Sequence, residues 1–240
     1  MANVACRIAQ KESAMSIQTD LWRGEHASFR RLLDLLEAQI GLFHAGAQPN
    51  YGLMLDVVAY LRHYPDRFHH PKEDAAVQRL LGREPHAAGL LQRVGGDHRV
   101  IEHSGWQLQE QLEAVAAGAL LARDAVESTA ATYAAYYRQH LAREERVLFP
   151  LAERLFDGSD WAAVEVAVPS GRDPLFGAQV EERYRELKRR IALEGACGCS
   201  TEEPHGDERG PRAAKRRAPR PRAADRMLNL RAAEPRRLRE

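Results

Sequence analysis

His69 and Glu73 form a His-x-x-x-Glu step that recurs at His140 and Glu144. A spacing of four stacks imidazole and carboxylate on one helical face, where both reach a single ion. Each step has a lone histidine upstream, with His26 standing 43 residues before His69 and His98 standing 42 before His140. Four histidines and two carboxylates in two equal halves are the donor set of a two-metal site inside a helical bundle. One such step alone would read as a core histidine near a surface acid, but two in register favour ligation.

The neighbouring pair His70 and Asp74 has the same spacing, and the second half decides the register. Phe68-His69-His70-Pro71-Lys72-Glu73-Asp74 written over Gln139-His140-Leu141-Ala142-Arg143-Glu144-Glu145 matches His to His and acid-acid to acid-acid. His70 then falls opposite Leu141, so it is left out of the ligand set together with His63 and His103. Gly24-Glu25-His26 resembles Gly96-Asp97-His98, which makes the repeat a helical hairpin of roughly 70 residues.

These donors need helices to carry them, and four stripes of helical period are present. The first is Trp22, His26, Phe29, Leu33, Leu36, Ile40 and Phe43, ended by Gly41, Gly46 and Pro49. The second is Leu53, Val57, Tyr60 and Tyr64, leading to His69 and Glu73, with Pro65 and Pro71 predicting a kink or distorted turn. The third begins near His86, is expected to break or bend at Gly95-Gly96, and continues through His98, Ile101, Gly105, Leu108, Leu112 and Val115. The fourth is Val126, Thr129, Tyr133, Tyr136, His140, Glu144, Val147 and Leu151. Residues 158–174 read as a loop and residues 175–193 as an accessory helix.

In this arrangement each metal takes two imidazole nitrogens and the two glutamates bridge. Mixed nitrogen and oxygen donors suit iron, manganese or zinc and do not suit calcium or magnesium. Ferritin-type bundles use Glu-x-x-His, so the order and spacing here define a different site. Glu102, Tyr64 and Tyr136 are further candidates, with ring-bonding and core roles as the readings set against ligation.

The 240 residues are 44% hydrophobic with a formal net charge of +1. That average hides an acidic body, with 23 Lys+Arg against 27 Asp+Glu over residues 1–200, and a basic end, with 12 against 7 over residues 201–240. No run approaches the ~20 apolar residues of a bilayer crossing. The start lacks a secretory pattern, and three cysteines are too few for a disulfide framework, so a cytoplasmic protein is expected. Residues 1–15 are expected to be a disordered extension, with Met15 an alternative start. Residues 16–195 are the bundle with its accessory helix, and residues 196–240 a disordered tail. Cys197-Gly198-Cys199 is a weak signal for metal binding or thiol exchange, and Lys215-Arg216-Arg217 is read as part of a solvated tail in preference to a nonspecific nucleic-acid contact, with no specific nucleic-acid role.

The quoted runs, with His26, His98 and Leu148-Phe149-Pro150, resemble the hemerythrin-like family, also called the HHE cation-binding domain. The likeness covers residues 16–195, including Asp173-Pro174-Leu175-Phe176. It implies an all-α, up-down-up-down four-helix bundle with an accessory C-terminal helix. It also implies two non-haem iron ions with an oxo or hydroxo bridge, held by His26, His69, Glu73, His98, His140 and Glu144, with manganese or zinc as second choices. The implied partner is oxygen, nitric oxide or peroxide, in a stress response or in catalase-like or nitric oxide-consuming chemistry.

The oxygen carriers of the family have His-x-x-x-His on the third helix and end with His-x-x-x-x-Asp. Here Glu102 stands at the second histidine and Glu144 replaces the more distant Asp. Four histidines instead of five imply two similar, less saturated irons. Iron-sulfur cluster repair members usually add a cysteine-bearing N-terminal domain, which this sequence does not show.

Overall fold

The computed structural model describes the backbone of residues 2–169 and 171–197, and side chains of residues 18–169 and 171–193. The expectations for residues 198–240, and for the side chains of Cys6 and Cys197, lie outside these described residues. All the described elements are helical: α1 (Ala2–His44), α2 (Tyr51–His63), α3 (His70–Arg83), α4 (Ala88–Ala116), α5 (Arg123–Arg143), α6 (Phe149–Leu155), α7 (Gly158–Val166) and α8 (Arg185–Cys197). The backbone of α1 is helical from Ala2, ahead of the stripe that starts at Trp22.

The stripes explain the assembly. α1 packs on α2 and α5, and α4 packs on the same two helices, closing an up-down-up-down ring. Short turns make the reversals possible. Gly46 and Gly118, at φ 71° and 87°, end α1 and α4 in the left-handed conformation that glycine adopts without strain. In each case the next amide bonds back, Ala47 N to Leu42 O and Ala119 N to Ala114 O, both at 2.9 Å. Asn50 caps α2 by accepting from Leu53 N at 3.0 Å.

The second and fourth bundle helices each contain a π-helical turn, Pro65–His69 between α2 and α3, and Glu144–Leu148 between α5 and α6. Each is closed by an i to i+5 bond, His70 N to Pro65 O and Phe149 N to Glu144 O. A proline follows one residue later, Pro71 and Pro150. Proline has no N–H and its ring crowds the carbonyl four residues back, so a wider turn is the local relief. The distortion expected at Pro65 and Pro71 is therefore found, and the fourth helix has its own.

Three expectations are corrected. α4 runs unbroken through Gly95-Gly96, because packing on both sides outweighs the modest helix penalty of glycine. Residues 158–166, expected as loop, form α7. Asp157 caps this helix and Asp160 reaches back to the Asp157 amide at 2.9 Å, a capping box built with two aspartates. Trp161 and Val164 bury its inner face. The accessory helix is shorter than 175–193, since the Asp173 carboxylate accepts from Leu175 N and Phe176 N and holds a turn there. Asp173 also accepts from the Tyr60 hydroxyl at 3.0 Å, tying this strap to α2.

Two apolar clusters fill the bundle. One gathers Phe29, Tyr60, Ile101, Tyr137 and Leu141, and the other gathers Trp22, Val77, Val94, Leu148 and Phe149. On every bundle helix the expected donors fall between the two clusters, so one polar layer crosses an otherwise apolar core.

Candidate metal centre

His26 comes from α1, His69 from the end of the first wide turn, Glu73 from α3, His98 from α4, His140 from α5, and Glu144 opens the second wide turn. All six are buried. Burying this many polar side chains is costly unless they compensate one another or hold a cation.

The nitrogens facing inward are Nε2 atoms. His26 Nε2 and His69 Nε2 are 3.1 Å apart. Two ligands at right angles on an ion, each about 2.1 Å from it, would be about 3 Å apart. Glu73 Oε1 lies 3.4 Å from His26 Nε2 and 3.2 Å from His69 Nε2, while its Oε2 lies 3.6 Å from His98 Nε2. Glu144 Oε2 lies 3.4 Å from His26 Nε2 and 3.1 Å from His140 Nε2, and its Oε1 is 3.1 Å from His98 Nε2. Each carboxylate thus stands between the two pairs of imidazoles, as a bridge must.

These are ion-pair distances without hydrogen-bond alignment for several atoms. Both oxygens of Glu73, Oε2 of Glu144 and both ring nitrogens of His140 have no hydrogen-bond partner among the described residues. Buried polar atoms are normally satisfied, so lone pairs aimed at common points fit a cation. Donor atoms of His70, Glu73, His98 and His140 lie within 4.8 Å of one another, as do those of His26, His69 and Glu73. Glu73 belongs to both groups, and the mixed donors suit a transition metal.

Three of the four outer ring nitrogens have carboxylate partners. His69 Nδ1 bonds Glu25 at 2.7 Å, His98 Nδ1 bonds Asp74 at 2.8 Å, and His26 Nδ1 bonds Glu145 at 3.1 Å. His140 Nδ1 is 4.0 Å from Asp97, which is paired with Arg143. The pattern is crossed: the acid preceding His26 serves His69, and the acid following Glu144 serves His26. In the other half the acid following Glu73 serves His98, whereas the acid preceding His98 is turned to Arg143. Such partners fix the tautomer and direct Nε2 inward.

Electrostatics follow from burial and these neighbours. Burial alone would lower His69, but Glu73 and Glu25 raise it to about 10. Burial likewise opposes His98, yet Asp74 and Glu144 hold it well above the usual imidazole range. Burial and repulsion by His98 push His140 well below that range. Burial would raise Glu73, but His69, His26 and His98 hold it well below the usual carboxylate range, whereas burial and Glu73 push Glu144 up.

Some side chains differ from expectation. His70, left out of the ligand set, is buried within the cluster, because its wide turn carries both His69 and His70 inward. Tyr136 is largely exposed; its neighbour Tyr137 is buried, with its hydroxyl 3.4 Å from His70 Nε2. Counting back from His140 by three and seven gives Tyr137 and Tyr133, a spacing that would have found them. Tyr64 donates to Glu25 at 2.7 Å and so acts on His69 through that acid. Glu102 is exposed and outside both donor groups.

The chain belongs to the hemerythrin HHE cation-binding domain family, whose family model matches residues 18–152. Comparison with curated proteins and with solved structures gives no match. Among the described residues no helix is long and apolar enough to cross a membrane.

Proposed function

We propose that this cytoplasmic protein holds two iron ions through His26, His69, Glu73, His98, His140 and Glu144 and binds oxygen, nitric oxide or peroxide there, in oxidative or nitrosative stress. The observation that carries this reading is the pair of buried carboxylates, Glu73 and Glu144, each set between imidazoles of both halves. Iron so held supplies redox chemistry and exchangeable coordination. The chain's own part is to orient donors through the outer acids and to exclude water. Phe29 and Phe149 lie 5.0 and 5.1 Å from the rings of His69 and His26, and Trp22 lies 6.5 Å from His69. Apolar neighbours of this kind favour an uncharged ligand over a charged one.

Anaerobic reconstitution with iron(II), metal analysis, and stopped-flow spectra with oxygen, nitric oxide and peroxide in turn test this. Two irons per chain and a ligand-dependent spectrum are expected, with the iron pair lost in Glu73→Ala or Glu144→Ala. Full retention of two irons in both variants overturns the bridging roles. A persistent adduct identifies a sensor, continued consumption an oxidoreductase, and transfer of iron to an apo iron-sulfur protein a donor.

A further inference from the structure

Register places His70 opposite Leu141 and so outside the repeat, but the structure builds it like the four expected ligands. It is buried. Its Nδ1 faces Asp66 Oδ1 at 3.1 Å, an ion-pair contact without the hydrogen-bond alignment by which Glu145, Glu25 and Asp74 hold His26, His69 and His98. That leaves Nε2 as the available donor, and His70 shares a 4.8 Å donor group with Glu73, His98 and His140. Its ring is nearly parallel to that of His98, with centroids 4.5 Å apart, and 5.4 Å from that of His140. The Tyr137 hydroxyl at 3.4 Å is too far to occupy Nε2 as a strong hydrogen bond.

We propose that His70 is a metal ligand, adding a third imidazole to the ion held by His98, His140 and the bridging glutamates. The ion between His26 and His69 then keeps fewer protein donors, and the two positions are unlike although the sequence halves match. The third helix, with exposed Glu102 one turn after His98, contributes no such imidazole; the second bundle helix does, because its wide turn presents two consecutive residues to the core.

This inference rests on the dinuclear reading, and one titration separates the two. The full chain is titrated anaerobically with cobalt(II), whose visible ligand-field absorption reports its donors. The unaltered chain is expected to take up two ions with distinct spectra. His70→Ala and His70→Gln are expected to keep two, with one at least tenfold weaker and altered in its visible band, while the other is unchanged. His103→Ala, at an exposed position, should match the unaltered chain.

A wild-type band for both ions in both His70 variants overturns the proposal even if affinity falls, since an orienting residue alters affinity without leaving the coordination sphere. Fewer than two ions on the unaltered chain overturns the dinuclear reading and this proposal with it. A crystal of the cobalt-loaded unaltered chain decides the matter even if the variants fail to fold. His70 Nε2 at about 2.1 Å from an ion supports ligation, and the absence of a bond refutes it.

Discussion

Replacing Glu25 by Gln isolates the outer acid with the shortest contact to an expected ligand. Its Oε2 is 2.7 Å from His69 Nδ1, and its Oε1 is fixed by the Tyr64 hydroxyl at 2.7 Å. Acids in this position are generally worth about 10- to 100-fold in metal affinity, or roughly 1.4–2.7 kcal/mol. Glutamine keeps a neutral hydrogen bond of roughly half the strength of the charged one, so the lower limit, about tenfold, applies. The contrast is Asp97→Asn. Asp97 is 4.0 Å from His140 Nδ1 and already engaged by Arg143, so its loss should cost less than about threefold. Competition of each metal-loaded variant against a chelator, at fixed pH and salt, measures both. Equal losses for the two variants, or a Glu25→Gln loss within twofold, would refute the idea that these acids act through ring orientation.

Three further outcomes are expected. Because His69 rises to about 10 in the metal-free fold, its proton must leave on metal uptake. Binding should tighten, and the metal-free fold lose stability, as pH rises from about 6.5 to about 10; calorimetry in buffers of different ionisation heat and urea unfolding read the two effects, and buffer-independent heats refute the first. Asp160 is buried and pairs with Arg79 and Arg83 at 3.0 and 2.6 Å, but both arginines reach solvent, so Asp160→Ala should destabilise by about 1–2 kcal/mol in urea unfolding, chiefly through the lost cap on the Asp157 amide, while metal stoichiometry stays the same. A Cβ on Gly105 would lie 2.9 Å from the Tyr133 ring, so Gly105→Ala should cost about 1–3 kcal/mol in the same measurement.

The repeat made the polar layer legible because helical spacing converts directly into a shared face. His26, His69, Glu73, His98, His140 and Glu144 all lie where their stripes place them. Legibility ended where the backbone left regular α-helical period. The repeat sets His70 aside by pairing it with Leu141, but the wide turn of one half, Pro65–His69, precedes it whereas that of the other, Glu144–Leu148, follows His140, so matched letters do not sit on matched backbone. Tyr136 was placed inward by a step of three from Tyr133, but α5 turns Tyr137 to the core. The capping box of α7 was present as Asp157 and Asp160 but lacked the usual glutamate or glutamine at its third position. The crossed acids were visible as matching letters, yet their partners sit on other helices, which spacing within one helix does not reveal.

The paired wide turns give the centre a compliant mounting. His69 closes one of them and Glu144 opens the other, so each chelating pair has one member at loosened backbone and one on regular helix. A slight change of pitch in either turn alters the reach between donors while the four rods stay in place. With the proposed ions bound, a change in ionic radius would be taken up first at these two turns.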